Sequence, residues 1–135
     1  MKTPERDEWI KALRSGDYEQ SKHMLHSNRG WCCLGVACDI FKETLDLKVD
    51  KVLHEEGGFE VFYNYDSQVL PRAVQEHIGL NTPEGLFKSP RMEGANAGET
   101  LSSVNDEGAT FEQIATILED HEDLLFTDKK DWEKS

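Results

Sequence analysis

The chain has 135 residues, with 27 Asp and Glu against 15 Lys and Arg, a formal net charge of −12. A chain of this length fits one domain that buries about two thirds of its surface, and so negative a balance repels phosphate backbones, which disfavours nucleic acid as a partner. The longest apolar run, Trp31 to Cys38, falls far short of the ~20 residues a bilayer span needs, and no apolar stretch of the kind a secretory signal needs follows residues 1–7, so the expected location is the cytoplasm.

Thr3 is a suitable N-cap, Pro4 fits a first helical position and Glu5, Asp7 and Glu8 complement a helix N-terminus, predicting a helix over 4–15 that Gly16 stops. Trp9, Ile10, Ala12 and Leu13 form its apolar stripe, and Arg14 lies in the last turn, where it satisfies the terminal carbonyls. Residues 18–25 fit either a short helix or a strand leading into Ser27-Asn28-Arg29-Gly30, a turn whose Asn and Gly favour a small hairpin with Trp31. Leu34, Cys38, Phe41 and Leu45 recur at spacings of four, three and four, which predicts a buried helix starting at Cys32 or Cys33.

Next, Val49, Val52 and Leu53, then Phe59, Val61, Phe62 and Tyr63, flank Glu55-Glu56-Gly57-Gly58, the pattern of a β-hairpin. Pro71 opens a helix bearing Val74 and Ile78, and Gly79 closes it. Residues 81–100 hold Pro83, Gly85, Pro90, Gly94 and Gly98 with little periodicity, a long loop that is a candidate lid. Leu101 and Val104 precede Asn105-Asp106-Glu107-Gly108, read as a turn. Thr110-Phe111-Glu112-Gln113 then matches a capping box opening a helix whose apolar face, Phe111, Ile114, Ala115, Ile117 and Leu118, continues to about Leu125. The fold class expected is α+β: a single compact domain over 1–126, with three or four helices and one or two small β-hairpins, followed by a charged tail over 127–135 that holds Trp132.

Three stretches carry a resemblance: Trp9-x-x-Ala12-Leu13-Arg14-Ser15-Gly16-x-Tyr18-x-Gln20, Cys32-Cys33-Leu34-Gly35-Val36-x-Cys38-Asp39, and Asn105-Asp106-x-Gly108-x-x-Phe111-x-x-Ile114-Ala115. Together they resemble a family of small bacteriophage- and prophage-encoded proteins of unassigned function. The resemblance implies an intracellular α+β accessory protein, of a kind that often counters host defences, and it carries no catalytic residue over.

Among sites read from the residues, Cys32 or Cys33 at a helix N-terminus fits a thiolate nucleophile, with His54 as base and His23 and His26 as substitutes. The competing reading makes Cys32, Cys33 and Cys38 small core residues of a reducing compartment. Zinc on His23, His26 and the cysteines is disfavoured, since Cys33 and Cys38 stand about 140° apart around a helix. Arg14, Tyr18, Gln20, Asn105 and Asp106 form a polar set suited to a small polar or nucleotide-like ligand, the alternative being that they serve the fold. Glu55, Glu56, Glu60, Asp66, Glu119, Asp120, Glu122 and Asp123 fit an acidic mimic of nucleic acid. No motif calls for a cofactor. A binding module for a small ligand or a host protein is the first expectation, a hydrolase using Cys33 with His54 the second.

Overall fold

A computed structural model describes residues 4–85 and 100–126, so Thr3, Trp132, the tail and most of the 81–100 loop lie outside the described residues. Helix α1 (Pro4–Arg14) has Glu5 and Asp7 in its first turn and Lys11 and Arg14 in its last, matched to the helix dipole. Its last carbonyls are not met by Arg14 as expected. Instead the Ser15 hydroxyl donates to the Ala12 carbonyl at 2.7 Å, and Gly16 takes a φ of +80° to leave the helix.

Residues 18–25 form neither the short helix nor the strand, but an irregular segment ending in the hairpin strands β1 (His26–Ser27) and β2 (Gly30–Trp31). Helix α2 (Cys33–Phe41) buries almost every residue and stops short of Leu45, because the chain turns back through Asp46 at φ +52° to bury Leu47. Its Gly35 passes so close under the irregular segment that a Cβ would overlap the Leu25 carbonyl.

The expected second hairpin, β3 (Val49–Leu53) and β4 (Phe59–Tyr63), turns through Gly57 and Gly58 at φ +99° and +86°. The two hairpins are not separate. His26 pairs with Val61 and Ser27 with Glu60, giving one antiparallel four-stranded sheet in the order β2-β1-β4-β3.

Helix α3 (Arg72–Ile78) follows Pro71 and ends at Gly79, φ +77°, as its sequence implies. Asn105 and Asp106 are not a free turn: they close helix α4 (Leu101–Asp106), which Thr100 and Ser103 cap reciprocally. Helix α5 (Phe111–Asp120) opens on the Thr110/Gln113 capping box, and α6 (Glu122–Leu125) completes the chain's described part. The described residues thus form six helical segments beside one sheet, an α+β arrangement.

Helix α5 packs chiefly along α1, and α1 in turn along α2, with α4 bridging α2 and α5. The interior holds Trp9, Leu13, Leu25, Leu34, Val36, Leu101, Ile114 and Leu118. Phe126 meets Trp9 edge-on, with ring centroids 6.5 Å apart, and Arg6 lies over Phe126 while its Nε donates to the Ile78 carbonyl.

Candidate functional site

The three motif stretches converge on Asn105, a fully buried polar side chain. Its Oδ1 accepts from the Cys33 backbone N–H at 3.2 Å and from Gln20 Nε2 at 2.9 Å, and its Nδ2 donates to the Ser21 carbonyl at 2.8 Å. Gln20 also donates to the Ala109 carbonyl. Trp9 Nε1 completes the junction by donating to the Cys33 carbonyl at 3.0 Å, tying α1 to α2. Asp106 accepts from the His23 backbone N–H at 2.8 Å and faces His23 Nδ1 at 3.2 Å, which fixes His23 at a φ of +72°.

Arg14 goes elsewhere. It reaches Glu112, Thr116 and Glu119 along one face of α5, and donating to the Glu119 carboxylate holds its guanidinium firmly charged. Arg14 and Asp106 therefore serve separate contacts. Tyr18 donates to Asp39 Oδ2 at 2.7 Å, and burial together with that bond pushes its hydroxyl pKa up. On the sheet's helix-facing side Tyr18 meets Trp31 edge-on, His26 stacks on Trp31 at 4.1 Å, and Tyr63 Oη lies 3.3 Å from His26 Nδ1. Burial pushes His26 below its ordinary pKa. This aromatic group had no local signature, because Tyr18, His26 and Trp31 meet Tyr63 only through the β1–β4 pairing.

The cysteines are core groups. All three are free and buried. Cys33 lies at the start of α2, yet its thiol donates to the Leu101 carbonyl at 3.6 Å, and burial raises its pKa well above the usual thiol value. Burial likewise pushes Cys32 up to about 11, so desolvation outweighs the helix N-terminus. His54 lies just after β3, with Nε2 3.3 Å from Glu60 Oε1, and is not paired with a thiol. Among the described residues no three His, Cys, Asp or Glu side chains group to hold a metal ion. Of the acidic set, Glu119 pairs with Arg14, Glu122 with Arg6 and Glu60 with His54.

Strand β3 ends the sheet, and among the described residues nothing pairs with its outer edge. The phase of its ladder follows from two flanking bonds, His54 N–H to the Gly58 carbonyl and Asn64 N–H to the Lys48 carbonyl. Even-numbered residues thus bond β4, while the N–H and C=O groups of Val49, Lys51 and Leu53 point outward. Val49 is 45 % exposed, Val52 44 % and Leu53 76 %, and Tyr65 beyond the end of β4 is 70 % exposed.

Tyr65 and Asn64 both hold positive φ, +74° and +50°, in a two-residue turn closed by reciprocal Tyr63 and Asp66 backbone bonds. Lys48 Nζ donates to the Tyr65 hydroxyl at 2.8 Å, placing that ring at the Lys48 end of β3. Lys51 Nζ lies 4.2 Å over the Phe59 ring. The sequence showed Val49, Val52, Leu53 and Phe59 as strand-forming but held no sign that β3 is an edge.

A family model described as a domain of unknown function, DUF8296, matches residues 1–122. The chain belongs to this family. The DUF8296 match contains both the Asn105 junction and the β3 edge, so both are parts of the family domain. No curated protein and no solved structure matches the chain. No helix among the described residues is long and apolar enough to cross a membrane.

Proposed function

We propose that the chain is a non-catalytic binding module that meets a protein partner through the β3 edge. The observation that carries this reading is the exposure of Val49, Val52 and Leu53 on an end strand whose outward backbone groups no described residue satisfies. An open edge recruits another strand, and natural sheets blunt it with charged side chains; here Lys51 alone among the outward-bonding residues carries a charge, between the exposed Val49 and Leu53. The strained turn adds support, since a non-glycine residue at positive φ is costly and Tyr65 is held there with its ring in water. Elsewhere the chemistry is spent inside the fold: Gln20, Asn105 and Asp106 bond backbone groups of the chain, Arg14 bonds α5, and Cys33 is sealed from solvent.

Phage or prophage origin, a cytoplasmic setting and a host protein as partner belong to the same proposal and rest on the motif resemblance. The test is selection of binders from a displayed random-peptide library, followed by measurement against Val52→Lys/Leu53→Lys. Binders selected on the wild type lose affinity for a variant that remains as stable as the parent. Binders that keep full affinity for it, or a failure to select any, overturn the reading.

A further inference from the structure

We infer that the β3 edge takes up an extended segment of another protein as an added antiparallel strand, with an acidic residue opposite Lys51 and apolar residues opposite Val49 and Leu53. This rests on the binding-module reading above and specifies its partner. Val49, Lys51 and Leu53 are the residues whose N–H and C=O groups face outward, so each forms a hydrogen-bonded pair with one residue of the incoming strand. Directly opposed residues share a face of the sheet, so the partner meets an apolar, a cationic and a second apolar side chain in turn. The Lys51 charge sits over the Phe59 ring, which belongs to the same face, and it supplies the selectivity for a carboxylate.

Charge also decides against a second copy of the chain. A sheet continued through a two-fold axis pairs residues of equal parity, and only the three central positions of β3 as centres leave most of the strand paired with β3 of the other copy, since a centre on Val49 or Leu53 pairs that residue alone. Centring on Lys51 opposes it to its own copy, and centring on Asp50 does the same for a carboxylate. Centring on Val52 places Val49 opposite Glu55 of the Gly-Gly turn, losing one apolar pair. Each copy further carries a formal charge of −12.

The probe is a synthetic peptide, Lys-Thr-Val-Thr-Glu-Thr-Val-Thr-Lys, titrated into the full chain while backbone amide exchange is followed. Binding should slow exchange at Val49, Lys51 and Leu53. N-methylation of the central Glu should abolish it, because that N–H bonds β3, whereas N-methylation of either Thr flanking the Glu should not. Lys51→Glu should weaken the Glu peptide by about fivefold and favour a Lys-centred peptide instead, the scale of one cross-strand charge pair. Equal binding by all N-methylated forms would mean contact without strand addition and would overturn the inference while leaving the module reading intact. No binding by either peptide, or concentration-dependent protection of the same amides in the protein alone, would overturn it as well, the latter by showing self-pairing.

Discussion

The backbone N–H of Cys33 donates to the side-chain oxygen of Asn105 across 72 residues of chain, with both residues fully buried. That bond joins the start of α2 to the last turn of α4. It also explains why an amide, rather than a carboxylate, stands at position 105: the same side chain must donate to Ser21 while accepting from Cys33 and Gln20.

Asn105→Ala should therefore cost about 3 kcal/mol, since it leaves buried donors and an acceptor without partners. Urea unfolding measures it through the transition midpoint. A loss below about 0.5 kcal/mol would mean that water or a shift of the irregular segment replaces these bonds.

Ile114→Ala and Phe41→Ala should each cost about 2 to 5 kcal/mol as core truncations. Because α5 reaches α2 chiefly through α1, and Phe41 abuts His77 of α3, the double variant should be additive within about 0.5 kcal/mol. Strong coupling would mean that the two helices touch directly at these residues.

The cysteines should alkylate slowly in the native chain near neutral pH and quickly in denaturant. With Cys32 raised from 9.0 to about 11, the folded chain holds its proton where the unfolded chain loses it. The resulting stabilisation is complete below pH 9 and is lost as pH rises through about 11. Rapid native labelling of Cys33 alone, at neutral pH, would contradict its burial.

Tyr65→Gly should leave the fold intact and raise stability by up to about 1 kcal/mol, because glycine relieves the positive φ. The same change should weaken binders that reach the Lys48 end of β3. A clear loss of stability would make the Tyr65 ring a structural group.

Local signals were legible wherever a short segment settles its own geometry. Gly57-Gly58 marks the β3–β4 turn, Thr110 and Gln113 the start of α5, and Pro71 and Gly79 the ends of α3. Helix α4 was hidden because Asn105 and Asp106 are poor helix formers that resemble a turn, and because Ser103 closes its capping box in place of Glu or Gln. Pairing of β1 with β4 joins His26 to Val61 and Ser27 to Glu60 across the whole of α2 and β3, which no local pattern specifies. The polar set drew attention to residues with demanding chemistry, but sequence cannot show whether a side chain's partner is a ligand or the chain's own backbone. Gln20 and Asn105 meet as partners, whereas Arg14 is carried by α1 onto α5. The β-prone run Val49-Asp50-Lys51-Val52-Leu53 beside Gly57-Gly58 likewise identifies a hairpin strand without saying that it ends the sheet.

Amide hydrogen exchange along β3 tests the open edge most directly. In the free chain Asp50 and Val52, bonded to β4, should exchange slowly, and Val49, Lys51 and Leu53 should exchange quickly. Adding the Glu-centred peptide should slow those three and leave His23, Gln20 and Cys33 unchanged. Uniform protection of all five β3 amides in dilute free protein would show that the edge is already covered, and would contradict the account.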